Sequence, residues 1–411
     1  MSEKVIVRFP PSPTGNLHIG TARTLLFNYL FAKKHGGKIV FRSEDTDRER
    51  SKKEFEDNIV EGLEWLGINY DEFTRQSERG EIYKKYLQKM LDDGTAYLSQ
   101  ESILKDVENN NREEVIRFKN PNKMVKFDDV VRGEIEFDTT ELHDFVIAKS
   151  LEEPLYHFAV VVDDYEMGVT HILRGEDHIS NTPRQILIQE AIGASRPVYA
   201  HIPLILGQDR SKLSKRHGAT AVSEYRNKGY LPEAMVNYLA LLGWNPGTEK
   251  EIFTMEELIQ EFDLGKIQKG GAIFDEKKLQ WVNKEHIKLL PPDKQRELLL
   301  ESIKDESYMV GEPVLDVEQI AWKKSTKEEA RMHLEKVREM VSKGTFDIGE
   351  VVMKYAETVG KGNVLWPMRY ALSGATASPD PITLLEILGK EKSLKRLENA
   401  IIVLNEAQVS S

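Results

Sequence analysis

The chain has 411 residues, 57 basic and 68 acidic side chains and a formal charge of −11. At about 150 residues per domain it should hold roughly two to four domains. It has no cysteine, which excludes disulfides, thiolate catalysis, Fe–S clusters and Cys-based zinc sites, and fits a reducing cytosol. No apolar run reaches the roughly 18 residues of a membrane span, and the opening MSEKVIVRF lacks a signal-peptide core, so no membrane partner is expected. The acidic balance disfavours a wholesale nucleic-acid coat but leaves room for a local basic patch.

The chain opens with a β-rich run, Val5–Phe9, followed by Pro10-Pro11-Ser12-Pro13-Thr14-Gly15, which can be neither strand nor helix. From Ile19 the residues Ala22, Leu25, Leu26, Tyr29 and Leu30 form a helical stripe that Gly36-Gly37 stops. Lys38–Arg42 reads as a second strand, completing a βαβ unit whose loop lies at the carboxyl edge of a parallel sheet, where such folds bind ligands. Ser51 and Glu54 match a capping box ahead of Phe55, Ile59, Leu63 and Leu66. Ile82, Tyr86 and Met90 mark another helix. Between about 98 and 153 the texture becomes polar and then alternating, as in Val115–Phe118 and Gly133–Phe137, which predicts a small inserted domain with hairpin strands.

Phe158–Val162 and Val169–Arg174 read as strands, followed by a helix around Ile186–Ile192 and a strand at about 198–206. From 231 onward the pattern is mostly helical, with a second capping box at Thr326 and Glu329. Trp244 and Trp281 sit on apolar helical stretches and read as core. Asp163-Asp164 could be a metal pair, but a turn or helix-capping role is the preferred reading.

Two segments carry chemistry. The Pro10–Gly20 loop leads through His18-Ile19-Gly20 into a helix N-terminus, whose unpaired N–H groups and partial positive charge suit phosphate. His18 adds a donor for charge developing on a phosphoryl group; the plainer alternative is a surface histidine capping the helix. Far downstream, residues 208–228 hold Arg210, Lys212, Lys215, Arg216, Arg226 and Lys228 against Asp209 and Glu224, a positive island in an acidic chain. Gly207 and Gly218 bracket its core and would permit a mobile loop. A cationic loop opposite a helix N-terminus is what transfer at a triphosphate needs.

Taken together, Pro10–Thr21 and Lys212-Leu-Ser-Lys-Arg216 resemble the paired signature of class I aminoacyl-tRNA synthetases, and within them the glutamyl-tRNA synthetase family. The Ser12-Pro-Thr-Gly15 core, Arg42-Ser-Glu-Asp-Thr-Asp47, Val161-Val-Asp-Asp-Tyr165, Arg174-Gly-Glu-Asp-His178 and Asn181-Thr-Pro-Arg184 all resemble its pattern. The resemblance is dense over about 1–98 and 154–285 and weaker beyond.

The resemblance implies an α/β fold: a Rossmann-type catalytic domain split over 1–98 and 154–228, a small α+β acceptor-end insertion at 99–153, a helical connective domain at 229–300, and an all-α anticodon-binding region at 301–411. It implies that glutamate attacks the α-phosphate of ATP, giving glutamyl-adenylate and pyrophosphate, and that the acyl group then moves to the terminal adenosine of tRNA. By position, Arg8, Ser12, Glu44, Tyr156 and Arg174 would surround glutamate; Thr14, His18, Gly20, Glu176 and Lys215 would meet ATP; and His18, Lys212 and Lys215 would act on the phosphates. Arginine forks for carboxylates and a carboxylate for the ammonium are the residue types glutamate requires. Arg8 could instead be a surface ion-pair partner, and Glu44 a helix cap. Mg²⁺ should accompany ATP, and Arg216, Lys395 and Arg396 would touch tRNA.

Thr21 stands where the wider class signature has a second histidine; many bacterial relatives place Cys and His ligands for zinc in the insertion, and this chain has no Cys, so no zinc is expected. The C-terminal region looks abbreviated, although Leu365–Gly374 and Leu388–Leu397 resemble its closing helices. The expected protein is cytoplasmic and by default a monomer, using L-glutamate and tRNA(Glu). Alternatives are a form that also charges tRNA(Gln), a glutamyl-queuosine-type tRNA-modifying enzyme, a small-molecule nucleotidyltransferase and an inactive tRNA-binding paralogue. Residues 301–411 argue against the second, since such enzymes lack the helical tail.

Overall fold

The computed structural model describes residues 4–102, 112–214, 216, 218, 220–303, 306, 309, 311–323, 325–344 and 348–409. The chain divides into two compact units, Met1–Leu289 and Leu290–Ser411.

In the first unit, β1 (Ile6–Phe9), α1 (Ile19–Lys34) and β2 (Lys38–Ser43) form the expected βαβ step. Helix α2 (Lys53–Trp65) then leads to β3 (Glu72–Arg75), with β1–β2 and β2–β3 both parallel. After α3 (Gly80–Asp92) the chain enters an antiparallel sheet of β4 (Ala96–Ser102), β5 (Arg112–Phe118), β8 (Phe145–Ser150) and β9 (Glu153–Pro154). Between β5 and β8 runs the hairpin β6 (Met124–Asp129) and β7 (Gly133–Asp138). The chain returns through α4 (Tyr156–Glu166), β10 (His171–Gly175), α5 (Thr182–Ile192) and β11 (Val198–Ile202), with β10 and β11 parallel.

Strand β10 runs beside β1 in the same direction. The Thr170 N–H donates to the Ile6 carbonyl at 2.9 Å, the Ile6 N–H donates to Thr170 Oγ1 at 2.9 Å, and further along Arg8 Nη1 reaches the Leu173 carbonyl at 3.4 Å. The order across the molecule is therefore β3, β2, β1, β10, β11, and the winding reverses between β1 and β10. A crevice at the carboxyl ends of those two strands follows from this topology. Strand β6 extends the row, since Asp129 pairs with Tyr199 and the Val130 N–H donates to the Tyr199 carbonyl.

Burial overrides several local signals. Phe158–Val162, expected as a strand, lies inside α4, where Phe158 through Asp164 are all buried. The helix is covered by α3, α5 and β8, and a short apolar run buried on every side has no periodicity to separate helix from strand. Helix α1 is likewise buried almost all round, because Pro232–Leu241 and Met255–Glu261 cover the side away from the sheet. The Ser51–Glu54 box does not form: the Ser51 and Lys52 N–H groups bond the carbonyls of Asp47 and Pro13, so the helix starts at Lys53 with no side-chain cap. Trp244 is core, but outside a helix, whereas Trp281 is exposed on the helix Glu276–Leu289 with the Lys278 ammonium 4.0 Å from its ring centre.

Helix α2 is fastened to β3 by an ion pair. Arg75 donates to both oxygens of buried Glu56, Nη2 to Oε1 at 2.9 Å and Nε to Oε2 at 3.0 Å. These bonds hold the Glu56 carboxyl down at about 2. A depressed carboxylate contributes stability that is present above its unfolded value and lost as pH falls towards the folded value. Glu56→Gln should therefore cost roughly 2 kcal/mol at pH 7, discounted for the partly exposed arginine. Thermal unfolding of both proteins at pH 7 and pH 3 should show the gap narrowing in acid; a constant gap would assign the loss to packing.

The second unit is helical: Pro292–Ile303, Val317–Ile320, Lys327–Lys343, Ile348–Val359, Lys361–Ser373 and Pro381–Val409. The Thr326–Glu329 box forms here, with the Glu329 N–H on Thr326 Oγ1 at 3.1 Å and the Thr326 N–H on Glu329 Oε2 at 2.7 Å. Leu334, Val337, Leu372, Leu397 and Leu404 sit in one apolar core. The last helix breaks at Gly389, whose φ of 75° favours glycine.

Candidate active site

The proline loop is rigid for reasons beyond its prolines. The Pro11 carbonyl accepts the Glu44 N–H at 2.9 Å, the Pro13 carbonyl accepts the Lys52 N–H at 3.0 Å, and Asn58 Oδ1 accepts the Leu17 N–H at 2.9 Å. At its end His18 caps α1, its Nδ1 accepting the Gly20 N–H at 3.0 Å. That bond places the ring proton of neutral His18 on Nε2. The Ile19 N–H donates to the Thr220 carbonyl at 2.8 Å and the Val222 N–H to the Leu17 carbonyl at 2.9 Å. The proline loop is thus stitched backbone to backbone to residues 220 and 222, just downstream of the Lys212–Arg216 run.

Between them lies a cavity of about 500 Å³ at the β1–β10 crevice. Arg8, Ser12, His18, Gly20, Arg174 and Lys212, all expected from the sequence as site residues, line it. Lys212 Nζ pairs with Asp177 Oδ2 at 2.8 Å. Burial would raise the Asp177 carboxyl, but the Lys212 ammonium outweighs it and holds the group below its ordinary value. Lys215 lies outside the described residues.

Arg8 is buried, 3.4 Å from Asp164, and is no surface ion-pair residue. Arg42, wholly buried, binds Asp164 at 2.7 Å and Glu44 at 3.0 Å and lies 3.6 Å from Asp163. Asp163 also accepts from Gln76, Arg79 and Tyr83. The Asp163-Asp164 pair is therefore neither a turn nor a helix cap but the acidic centre of a buried arginine network, close to the loop that carries Glu44. Burial raises the Glu44 carboxyl above its ordinary value, against the pull of Arg42.

Arg174 is buried and held on three sides: Nε donates to His201 Nε2 at 3.1 Å, Nη1 to Gln185 Oε1 at 2.7 Å and Nη2 to Thr182 Oγ1 at 2.8 Å. Three of its five N–H groups are thus used by protein, and each Nη keeps one more for a ligand. Tyr156 lines a neighbouring cavity of about 790 Å³, and its hydroxyl lies 3.3 Å from Nδ1 of His178, which lines the first cavity. Burial, then Arg174, brings His178 down to about 4, so it is neutral at pH 7.

Other expected residues sit differently. Glu176 is turned into the protein, Oε1 accepting the Leu204 N–H at 2.7 Å and Oε2 pairing with Arg132; the acid lining the cavity is its neighbour Asp177. Thr14 is exposed on the loop, its N–H on the Ser12 carbonyl. Arg216 is exposed and pairs with Asp209 at 3.2 Å, and Lys395 is exposed and pairs with Glu312 at 2.6 Å. Arg396 is a correction: it is 3% exposed, and its Nη groups donate to the Leu372 and Gly311 carbonyls at 2.6 and 2.7 Å. Satisfying backbone inside the second unit leaves it no outward face for tRNA.

Arg23, Asp177 and His178 line the cavity without having been singled out from the sequence. Arg23 had a signal, a charge within the apolar pattern of α1. Its Nη1 donates to the Leu242 carbonyl at 3.1 Å, and burial brings it down to about 10. Among the described residues no group of three His, Asp or Glu gathers to hold a metal, and no helix is long and apolar enough to cross a membrane.

The family pattern described as "tRNA synthetases class I (E and Q), catalytic domain" matches residues 4–105 and 98–281, and an "Anticodon binding domain" pattern matches 273–401. The chain is 41% identical to the glutamate–tRNA ligase of Carboxydothermus hydrogenoformans, covering 96% of this chain and 99% of that one. It is also 41% identical to the glutamate–tRNA ligase of Aquifex aeolicus, covering 96% and 98%. Among solved structures, a glutamate tRNA ligase from Elizabethkingia meningosepticum in complex with its amino acid superposes with a TM-score of 0.80 at 31% identity, over 98% of this chain and 100% of that one.

Proposed function

The chain belongs to the class I glutamyl- and glutaminyl-tRNA synthetase family and is a glutamate–tRNA ligase, and from that premise we propose how its cavity divides the work. The observation that carries the proposal is the cavity at the β1–β10 crevice, lined both by the α1 N-terminus and Lys212 and by two buried arginines, Arg8 and Arg174.

Glutamate lies against Arg8 and Arg174, whose guanidinium N–H groups take carboxylate oxygens, while Glu44 and Ser12 meet its ammonium end and Tyr156 closes the side towards the second cavity. ATP enters as its Mg²⁺ complex, the cation carried by phosphate oxygens and water. Its phosphates meet the N-terminal end of α1 and His18, which donates through Nε2 because its Nδ1 already accepts the Gly20 N–H. A glutamate carboxylate oxygen attacks the α-phosphorus, the bond to the bridging oxygen breaks, and pyrophosphate leaves against Lys212 and Lys215. Lys212 must then share its charge between phosphate and Asp177, which gives the loop a resting contact to exchange on binding. A hydroxyl of the terminal adenosine of tRNA next attacks the acyl carbon and AMP departs. The basic segment 208–228 and exposed Lys395 lie against tRNA phosphates, and the reaction runs in the cytoplasm.

Charging of tRNA(Glu) and tRNA(Gln) transcripts with labelled glutamate tests the reading. Labelled tRNA(Glu) is the expected product, and labelling of tRNA(Gln) as well would identify the relaxed form. If neither transcript is labelled, the assignment of substrate to this cavity fails.

A further inference from the structure

Arg174 is backed, on the side away from its free N–H groups, by a histidine and an aspartate. His201, on β11, and Asp129, at the end of β6, are both fully buried. Asp129 Oδ2 receives the His201 Nδ1–H at 2.6 Å and the His201 backbone N–H at 3.0 Å, while Oδ1 receives the Val131 and Arg132 N–H groups at 3.0 and 2.8 Å. A carboxylate accepting from Nδ1 leaves the lone pair of neutral imidazole on Nε2. That atom accepts the Arg174 Nε–H at 3.1 Å and also lies 3.2 Å from Thr182 Oγ1, which itself accepts from Arg174 Nη2.

The three groups form one directed chain, Asp129 to His201 to Arg174. Only one tautomer and one charge state satisfy it, because an imidazolium would set an N–H against the arginine's own N–H. Asp129, Arg174 and Arg8 are the charged groups facing the ring, and His178 and Tyr199, whose ring stacks 6.1 Å away, are its other titratable neighbours. With Nε fixed and each Nη anchored once, the guanidinium plane cannot turn without losing hydrogen bonds, so its two remaining N–H groups hold one direction.

We propose that His201, oriented by Asp129, is a positioning residue for the amino-acid site, acting on the substrate carboxylate solely through Arg174. This rests on the assignment of Arg174 to glutamate made above. It also gives the β6–β7 hairpin a function: by pairing onto the edge of the parallel sheet it delivers Asp129 beneath the substrate arginine.

Two substitutions of similar size separate positioning from packing. In His201→Gln the amide lies near Nε2 and can still accept from Arg174. In His201→Asn the amide lies near Nδ1, keeps the Asp129 contact and offers Arg174 nothing. The KM for glutamate and for ATP in tRNA charging, and direct glutamate binding, are measured for both, beside Arg174→Lys and with melting temperatures. His201→Asn should raise the glutamate KM about tenfold, as loss of a hydrogen bond to a charged group does, with the ATP KM unchanged and His201→Gln within about threefold of wild type. Equal losses in the two variants, or equal losses for both substrates, overturn the proposal. If His201→Asn does not fold, a tenfold loss in folded His201→Gln overturns it as well. A normal glutamate KM in Arg174→Lys refutes instead the placement of glutamate on Arg174, and is read separately for that reason.

Discussion

Replacing Arg174 with alanine should raise the glutamate concentration needed for half-maximal charging by about 100-fold or more, while the KM for ATP stays within about threefold. The magnitude follows from two charge-assisted hydrogen bonds, each worth roughly 1.5–3 kcal/mol, lost from a buried site. The direction follows from the geometry: Arg174 is anchored by His201, Gln185 and Thr182, none of them on the α1 N-terminus proposed to meet phosphate. Truncation also strands those three partners, so part of the loss will be structural. Melting temperature measured alongside separates the two, because a purely structural lesion lowers the use of ATP and glutamate together. Equal losses for both substrates would take Arg174 out of the amino-acid pocket.

The second large effect is on the chemical step. Lys215→Ala should slow adenylate formation by about 100- to 1,000-fold, since a preorganised donor to developing phosphoryl charge is typically worth roughly 2.7–4 kcal/mol. Glutamate binding should change little. Pyrophosphate exchange measured with tRNA present reads the step directly. Lys212→Ala provides the comparison: its ammonium already neutralises Asp177 at 2.8 Å, so part of its attraction for phosphate is spent in breaking that pair. A smaller loss than for Lys215 is therefore expected. Wild-type exchange in Lys215→Ala would remove the basic loop from the phosphate site.

Much of this site was legible in the sequence because the chemistry was concentrated in short, contiguous segments. The proline loop, the His18-x-Gly20 entry to a helix and the Lys212–Arg216 run each carry their meaning locally, and backbone bonds join the first two to residues 220 and 222, just beyond the third. The signals that failed were also local ones. Phe158–Val162 has strand composition but is enclosed by helices on a sheet, and Ser51 has the right spacing for a cap but its backbone is held by the preceding turn. Trp281 looks like core by composition and lies exposed beside a lysine.

Residue type along the chain determined which chemistries were possible: no thiol or Cys-based metal chemistry, guanidiniums and a carboxylate for an amino acid with two acid groups, and a helix entry with lysines for phosphate. The tertiary structure alone decided what each charge is used for. Arg174 and Arg396 are equally basic in sequence, yet one keeps two N–H groups for a cavity while the other is consumed by backbone carbonyls. Glu176 and Asp177 are adjacent, yet only the second lines the cavity. The reason is physical: a buried charge must be matched by whatever partners neighbouring elements present. For Arg174 those partners include His201 and, behind it, Asp129, brought together by the order of strands and invisible in the spacing of residues.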